Sequence, residues 1–353
     1  MLARFVGPLV VAVSCLLVSP VMASSSPPEF TDVFVFGDSL SDTGNFSSIN
    51  GPFPNPPFFN NRVTNGLTSV DILAQSLGLS VDASLYLIGP AVGTNYAVVG
   101  ARAAGLTAID LPAQIGAFAL NQAGVAPAEA LYIVFIGGND VRDARDLVLR
   151  SRVVRSDIEK SNGDQNSAEK IVDEAVNGEI NGIQTLISLG ARYILVVNVP
   201  DVGAIPETNL IAMQIQDDLL PVRARDLTRR FNKNLQHQFK SLKRHLSDDN
   251  NVELRIFDQF DEFEELLEDA TELGFSNTTE FCFSTVNFTF NPSCHFGASF
   301  NQFIFFDEIH LTARTYSIVA QALIEEVNEF EERESDERDA DNEDKHDEVH
   351  DDS

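Results

Sequence analysis

The amino-acid sequence predicts an α/β protein in which helices cover both faces of a mostly parallel sheet of about five strands, a three-layer α/β/α arrangement. Two observations lead to this fold class: short, largely apolar runs recur along the 353 residues, and segments with apolar residues at helical spacing separate them. Near-continuous apolar strands are typical of parallel sheets that carry helices above and below. A content of 44% apolar and 22% charged residues excludes collagen-like, coiled-coil and wholly disordered chains.

Five of the apolar runs are predicted to be strands. They are residues 33–36, 95–99, 131–136, 193–197 and 252–257. Three amphipathic segments are predicted to be helices. They are residues 168–189, which end before Gly190, residues 223–246, which are rich in Lys and Arg, and residues 313–330. The alternation of the two kinds of segment favours a parallel sheet covered by helices.

The N-terminus is typical of an export signal. A basic residue precedes an apolar run over residues 5–23, which ends in small residues suited to a cleavage site. We therefore predict a signal peptide over residues 1–23, a polar linker over 24–29 and a single domain over 30–330. An uncleaved membrane anchor is the alternative, which Pro20 and the small residues disfavour. No other segment reaches the ~20 apolar residues of a membrane span, so a secreted protein without stable membrane insertion is expected.

The charge of the chain is strongly negative. Acidic residues outnumber basic residues by 53 to 24, which gives a formal net charge of −29. Such a chain repels phosphates, so nucleic acid is excluded as a partner, and anionic membranes are disfavoured for the same reason. Residues 331–353 contain only Ala340 and Val349 as apolar residues and are predicted to form a disordered acidic tail.

Cysteine usage agrees with export. Cys15 leaves with the signal peptide, and Cys282 and Cys294 remain. An even number of cysteines in an oxidising compartment predicts that these two form a disulfide, and two buried free thiols are the alternative. The chain has no CxxC pair, so no zinc site is predicted. Three sequons for N-glycosylation occur, at Asn45, Asn277 and Asn287.

Residues that directly follow the predicted strands are candidates for a functional site, because open parallel sheets place their chemistry at the carboxyl ends of strands. These candidates are Ser39 in the segment 37–45, Gly100, Asn139 in the segment 137–140, and the pair Asp307 and His310. Taken singly, each segment has a structural explanation as a turn or a helix cap. Their occurrence together, in this order and each at a strand end, favours a catalytic site.

These residue types suit the attack of an oxygen nucleophile on an ester carbonyl. A serine hydroxyl is a weak nucleophile until a base takes its proton, and histidine is the side chain best suited to that task near neutral pH. An aspartate three residues earlier would hold the imidazole in one tautomer and stabilise the imidazolium. Ser39, His310 and Asp307 are therefore the predicted nucleophile, base and orienting acid. Asp38 is predicted to orient the turn, and Asp42 to begin a helix.

The same segments resemble the GDSL family, also called the SGNH hydrolases. The segment 36–45 is similar to the first sequence block of that family, and the segments 95–101, 137–140 and 306–312 are similar to its later blocks. The resemblance implies a flavodoxin-like sheet, and an oxyanion hole formed by the backbone N–H groups of Ser39 and Gly100 and the side-chain amide of Asn139. It is strongest to the secreted, lipase-like branch of plant and fungal esterases.

We therefore expect a secreted serine esterase or lipase that hydrolyses carboxylic esters through an acyl-serine intermediate. The expected substrates are small-molecule, lipid or acylated carbohydrate esters. An acyltransferase at the same site, or a catalytically silent binding protein on the same fold, is the alternative. No metal or cofactor is expected, because the sequence has no P-loop, HExxH or dinucleotide fingerprint. The absence of a Gly-x-Ser-x-Gly motif disfavours an ordinary α/β-hydrolase.

Two further segments each allow two interpretations. The apolar, turn-rich residues 51–59 follow the nucleophile block and either line the acyl or leaving-group pocket or form a packed surface loop. The charged residues 141–170 form either a solvated helix, which we favour, or a mobile flap beside Asn139.

Overall fold

The computed structural model describes residues 29–154, 158–246, 252–294 and 297–344 of the chain. Its centre is a sheet of four parallel strands in the order β1-β2-β3-β4. These strands are β1 Val33–Gly37, β2 Leu131–Phe135, β3 Tyr193–Val197 and β4 Glu253–Phe257. The predicted α/β class with a parallel sheet is confirmed, and these four strands lie at predicted positions.

Residues 95–99, predicted to be a fifth strand, do not form one. The segment runs beside β1, and the N–H groups of Tyr96 and Val98 donate to carbonyl oxygens of β1 at 2.7 and 3.1 Å. The side-chain oxygen of Asn95, however, accepts the N–H of Ala97 at 2.9 Å, which turns the backbone away from a regular ladder. The prediction of five strands is therefore corrected to four strands with an irregular segment along the outer edge of β1.

Nine helices lie within the described residues. They are α1 Asn45–Asn50, α2 Ser69–Ser76, α3 Leu111–Asn121, α4 Gly138–Val154, α5 Ile158–Leu189, α6 Pro206–Ile215, α7 Leu220–Leu246, α8 Gln259–Glu268 and α9 Ala313–Asp344. Short strands follow the main sheet. They are β5 Asn277–Phe281, β6 Phe283–Ser284, β7 Thr289–Phe290 and β8 Phe303–Phe305, with a 3-10 helix at Ala298–Gln302 before β8. The predicted helices 168–189 and 223–246 lie within α5 and α7.

Side chains at alternate positions of the sheet face two layers of helices. On one face, Phe34 of β1 and Val134 of β2 are buried against α3, α4, α5 and α7. On the other face, Val35 and Ile133 are buried against α2 and α9. Strands that are buried on both faces explain why the sequence shows apolar runs instead of an alternating pattern.

The register of the sheet aligns the carboxyl ends of its strands. Gly37 pairs with Phe135, Phe135 pairs with Val197, and Val197 pairs with Phe257. These four residues end their strands, so the segments that follow β1 to β4 leave the sheet along one edge. This register is what brings residues far apart in the sequence to one place.

The last helix, α9, begins at the predicted residue Ala313 and continues to Asp344. It therefore enters the segment 331–353 that the sequence predicts to be a disordered tail. Residues 331–344 contain five Glu and two Arg, which have high helix propensity even without an apolar face. Residues 345–353 and residues 1–28, which include the predicted signal peptide, lie outside the described residues. None of the helices in the described part of the chain combines the length and apolar character of a membrane span.

Cys282 and Cys294 form a disulfide, with their Cα atoms 5.2 Å apart. It closes a segment that contains the antiparallel hairpin of β6 and β7, in which Phe283 pairs with Phe290. Both cysteines are buried in a cluster of Phe side chains that includes Phe306, directly after β8. The disulfide thus closes the hairpin, and the N–H groups of Cys282 and Phe283 join the hairpin to the end of β8 by donating to the carbonyls of Phe305 and Phe306 at 3.2 and 2.8 Å.

We expect the double variant Cys282→Ala/Cys294→Ala to lose about 3 kcal/mol of unfolding free energy, because a cross-link over a short loop restricts the unfolded chain. Urea denaturation without reductant measures this loss. As a control, the wild-type protein unfolded without reductant should not react with iodoacetamide at these cysteines. An unchanged unfolding free energy, or alkylation of both cysteines before reduction, would contradict the disulfide.

Candidate active site

A chain of hydrogen bonds joins Ser39, His310 and Asp307 at the carboxyl edge of the sheet. The hydroxyl oxygen of Ser39 lies 2.8 Å from Nε2 of His310. Nδ1 of the same ring lies 2.8 and 2.9 Å from the two carboxylate oxygens of Asp307. Ser39 is 9% exposed, His310 7% and Asp307 1%. This geometry allows the imidazole to take the hydroxyl proton while the carboxylate holds the ring in place.

Ser39 lies in a tight turn directly after β1. The carboxylate of Asp38 accepts the N–H of Leu40 at 3.0 Å, which fixes the turn around the nucleophile. The next helix, α1, begins only at Asn45. No helix N-terminus therefore lies at Ser39, and stabilisation of negative charge there depends on individual N–H groups instead of a helix dipole.

Gly37, the last residue of β1, is held between β2 and the side chain of Gln114. A Cβ atom on Gly37 would lie 2.3 Å from the carbonyl oxygen of Phe135, so only glycine permits this close approach. The side-chain amide of Gln114 donates to the carbonyl of Gly37 at 2.8 Å and accepts its N–H at 2.9 Å. These bonds satisfy the end of the strand and set the direction in which the chain enters the nucleophile turn.

The buried carboxylate of Asp42 collects four backbone N–H groups. Oδ1 accepts from Gly44 and Asn45 at 2.7 Å each, and Oδ2 accepts from Phe46 and Val99 at 3.0 Å each. Burial raises the pKa of Asp42, and the four N–H groups counter that effect by favouring the ionised form. Because Val99 directly precedes Gly100, Asp42 ties the nucleophile turn to the second segment of the site.

The site contains unpaired donors next to the nucleophile. Within the part of the chain that the structure describes, the N–H groups of Ser39 and Gly100 have no acceptor. Gly100 has a φ of +82°, a conformation that favours glycine. The side-chain amide of Asn139 donates to the carbonyl of Ala101 at 2.9 Å and lies 3.5 Å from a carboxylate oxygen of Asp38. These donors are suited to bind an oxyanion formed at Ser39.

The segment that carries Asp307 and His310 is a compact loop. The N–H of Phe306 donates to the carbonyl of His310 at 2.7 Å, which closes the loop on itself. Oδ1 of Asp307 accepts the N–H groups of Ile309 and His310 at 2.8 and 2.7 Å. The Asp307 carboxylate therefore orders the backbone of the loop as well as the imidazole.

A glutamate next to Asp307 anchors this loop to the disulfide-closed hairpin. The carboxylate of Glu308 accepts the hydroxyls of Ser284 and Thr285 at 2.5 and 2.8 Å, and the N–H of Thr285 at 3.0 Å. Glu308 is buried. The hairpin thus supports the loop that carries His310. It does not take part in the hydrogen bond between His310 and Ser39.

A comparison with models of protein families identifies the family of this chain. The model of the GDSL-like lipase/acylhydrolase family matches residues 33–323. The chain belongs to this family. As a family member it is an SGNH-type hydrolase that acts on ester bonds.

Several curated relatives share this hydrolase domain at modest identity. Lipase 1 of Photorhabdus luminescens is 29% identical over 199 residues, which make up 54% of this chain and 26% of that protein. A GDSL esterase/lipase of Arabidopsis thaliana is 27% identical over 82% of this chain and 86% of its own length. Acetylajmalan esterase 2 of Rauvolfia serpentina is 27% identical over 84% of this chain and 90% of its own length.

The two other histidines in the described part of the chain lie outside the site. His237 and His245 lie exposed on α7. The other histidines, His295, His346 and His350, lie outside the described residues. No group of three or more His, Cys, Asp or Glu side chains in the described ranges is arranged to hold a metal ion.

The three sequons differ in their surroundings. Asn45 is fully buried, and its side-chain nitrogen donates to the carbonyls of Asn95 and Ala97 at 2.7 and 2.9 Å. In the folded hydrolase this nitrogen is therefore not accessible to a glycosylating enzyme. Asn277 is partly exposed and Asn287 exposed, and both stay candidate glycosylation sites.

The two segments with open interpretations are both packed. Within residues 51–59, Phe58 is buried and Phe53 packs against it with ring centroids 5.1 Å apart. The segment 141–170 lies largely in α4 and α5, so its described backbone is helical. Two of its arginines, Arg142 and Arg145, turn inward instead of into solvent and bind Glu207.

Sequence reasoning did not identify Gln114, Arg142, Glu207 or Glu308 as part of the site. Gln114 binds Gly37, Arg142 binds Asn139, Glu207 binds Arg142, and Glu308 binds the hairpin at Ser284 and Thr285. Gln114 is 77 positions from Gly37, and Glu207 is 65 positions from Arg142. No local motif marks such residues in one sequence, because a lone Gln, Arg or Glu on a helix is usually a surface residue.

Burial perturbs two further carboxyl groups of the site. Burial raises the pKa of Asp38 to about 6, while the N–H of Leu40 and the nearby His310 and Arg142 oppose the shift. Burial raises the pKa of Asp140 to about 7, opposed mainly by its hydrogen bond to the N–H of Ala103. Both groups therefore take up protons in the folded protein at a higher pH than in the unfolded chain.

We expect the variant Asp38→Asn to become more stable relative to wild type as pH rises. A carboxyl group with a raised pKa in the folded state favours folding below its unfolded pKa, and that contribution is lost as pH rises through about 6. Asparagine does not ionise, so the difference in unfolding free energy should grow between pH 4 and pH 7, by up to about 3 kcal/mol.

Urea denaturation of both proteins at pH 4, 5, 6 and 7 measures this difference. A difference for Asp38→Asn that stays constant or shrinks with rising pH would contradict the raised pKa.

Proposed function

We propose that this hydrolase is a secreted serine esterase that cleaves carboxylic esters through an acyl-Ser39 intermediate. The observation that carries the proposal is the continuous chain of hydrogen bonds, 2.8 Å at each step, from Ser39 through His310 to Asp307. The unpaired N–H groups of Ser39 and Gly100 also support the proposal, because they are suited to bind the oxygen of the reacting carbonyl.

The geometry suggests the order of events. His310 takes the proton of the Ser39 hydroxyl as the oxygen attacks the ester carbonyl, and Asp307 stabilises the imidazolium that results. The N–H groups of Ser39 and Gly100 and the amide of Asn139 bind the oxyanion. His310 then gives its proton to the leaving alcohol, and a water molecule activated by the same imidazole releases the acid from Ser39.

Apolar and uncharged esters fit this site best. Leu40 and Ile309, the direct neighbours of the nucleophile and the base, are partly buried apolar residues. The formal net charge of −29 opposes binding at an anionic bilayer. One relative is named an acetylajmalan esterase, which supports a small acyl ester as one candidate substrate class. Soluble esters, including acylated carbohydrates, are therefore preferred over anionic membrane lipids.

Secretion is proposed from the sequence. The apolar segment over residues 5–23 and the small residues at its end support an export signal. The disulfide between Cys282 and Cys294 suits an oxidising compartment. The accessible sequons at Asn277 and Asn287 suit the same route.

We expect Ser39→Ala and His310→Ala each to lower kcat for short p-nitrophenyl esters by at least about 1,000-fold, because they remove the nucleophile or its base. The rate of p-nitrophenol release measures this loss. The matched control His237→Ala removes an exposed imidazole and should retain full activity. A fluorophosphonate probe should label the wild type and not Ser39→Ala. Activity near wild type in Ser39→Ala would contradict the assignment, and an unlabelled, inactive wild type would favour a silent binding protein.

The balance between hydrolysis and acyl transfer is tested by adding an alcohol. Water is the expected acceptor, so the ratio of free acid to new ester should stay above one when glycerol or a sugar is present in millimolar amounts. Chromatography of the products measures this ratio directly. Ester as the main product at low alcohol concentration would instead assign the protein as an acyltransferase, with the same roles for Ser39 and His310.

A further inference from the structure

The guanidinium of Arg142 lies between the oxyanion amide and the loop of the base. Its Nη1 donates to the side-chain oxygen of Asn139 at 3.0 Å. Its Nε and Nη2 bind the two carboxylate oxygens of Glu207 at 2.9 and 2.5 Å. The Arg142 side chain is 26% exposed and that of Glu207 is 23% exposed, so the pair is largely shielded from water. Arg142 therefore contacts Asn139 and Glu207 with separate donors.

The contact with Arg142 determines which end of the Asn139 amide faces the nucleophile. A guanidinium can only donate hydrogen bonds, so the group of Asn139 that faces it must be the oxygen. The nitrogen then points the other way, towards the carbonyl of Ala101 and the carboxylate of Asp38. One N–H of the amide is used by Ala101, and the second lies on the side of Asp38, the neighbour of Ser39.

Glu207 is fixed by contacts on both sides. Arg145, whose side chain is only 1% exposed, binds the carboxylate of Glu207 at 2.9 Å from the interior of the protein. The backbone N–H of Glu207 donates to the carbonyl of Glu308 at 2.7 Å. Glu308 lies between Asp307 and His310 in sequence, so the backbone N–H of Glu207 contacts the loop that carries His310. The side chain of Glu207 is connected to the amide of Asn139 through Arg142.

We propose that Arg142, held by Glu207, is a positioning residue that orients the Asn139 amide towards the oxyanion and couples it to the loop of His310. The inference rests on the proposed function, since it assigns a role within the esterase mechanism. Without Arg142, the carbonyl of Ala101 at 2.9 Å and the more distant carboxylate of Asp38 at 3.5 Å are the remaining partners that select the productive orientation of the amide. A fraction of the molecules would then present the amide oxygen to the oxyanion, where it repels negative charge.

The test combines substitutions at Arg142 and Asn139. We expect Arg142→Met to lower kcat for p-nitrophenyl acetate about 10-fold with KM within about twofold, because the oxyanion forms only after substrate is bound. Asn139→Ala should lower kcat about 100-fold, as for removal of one oxyanion donor. In the double variant, kcat should match that of Asn139→Ala within about threefold, because Arg142 acts only through that amide. Arg142→Lys keeps a cationic donor and should restore kcat to within about threefold of wild type.

A matched control separates positioning from a general loss of packing. Arg230 also forms an ion pair between two helices, with Asp173 at 2.8 Å, and its contacts do not include the catalytic loops. Arg230→Met should leave kcat unchanged, and Arg142→Met should lower Tm no more than Arg230→Met does.

The outcomes distinguish this inference from the proposed function. If Ser39→Ala is inactive and Arg142→Met has wild-type kcat, the positioning role is wrong and the esterase assignment stands. If the losses of Arg142→Met and Asn139→Ala multiply to about 1,000-fold in the double variant, Arg142 acts independently of the amide and the inference is also overturned. If Ser39→Ala retains activity, the proposed function itself fails.

Discussion

The proposed catalytic centre of this hydrolase depends on one buried carboxylate, that of Asp42. It accepts N–H groups from Gly44, from the first turn of α1 and from Val99, so one side chain holds two segments that are 57 positions apart in the sequence. The nucleophile lies on the first segment and the N–H of Gly100 on the second. Loss of this carboxylate would leave four N–H groups without their acceptor, two of them on the buried residues Gly44 and Asn45, a cost that neither segment can avoid alone.

The site is formed by the main sheet and by a loop outside that sheet. The nucleophile and Asn139 leave the carboxyl ends of β1 and β2, whose register is fixed by a sheet buried on both faces. The base and its aspartate lie on a loop after β8, outside the main sheet, which is held by Glu308 to the disulfide-closed hairpin. Precise placement of the imidazole therefore depends on side-chain contacts, whereas placement of the nucleophile depends on the backbone of the sheet.

The sequence was sufficient to predict what local pattern and chemistry determine. Apolar runs located β1 to β4, and strand-end motifs located Ser39, Asn139 and His310. The prediction of a strand over residues 95–99 was wrong, because the apolar content of this segment does not reveal that the side chain of Asn95 accepts the N–H of Ala97. The pair of Arg142 and Glu207 was not predicted for another reason: its members are 65 positions apart, and a single sequence contains no local signal for such a pair. The partners that bury Asn45 are likewise far from it in the sequence, since its side-chain nitrogen binds the carbonyls of Asn95 and Ala97.

The central claim is that one hydroxyl, one imidazole and three amide donors surround a single reacting carbonyl. A crystal structure of the protein after covalent inhibition by a fluorophosphonate tests it directly, because the phosphonyl group resembles the tetrahedral intermediate of ester cleavage. The account predicts a bond from phosphorus to Oγ of Ser39, with the phosphonyl oxygen in hydrogen-bond distance of the N–H groups of Ser39 and Gly100 and the amide nitrogen of Asn139. An adduct on another residue, or a phosphonyl oxygen directed away from Gly100 and Asn139, would contradict it.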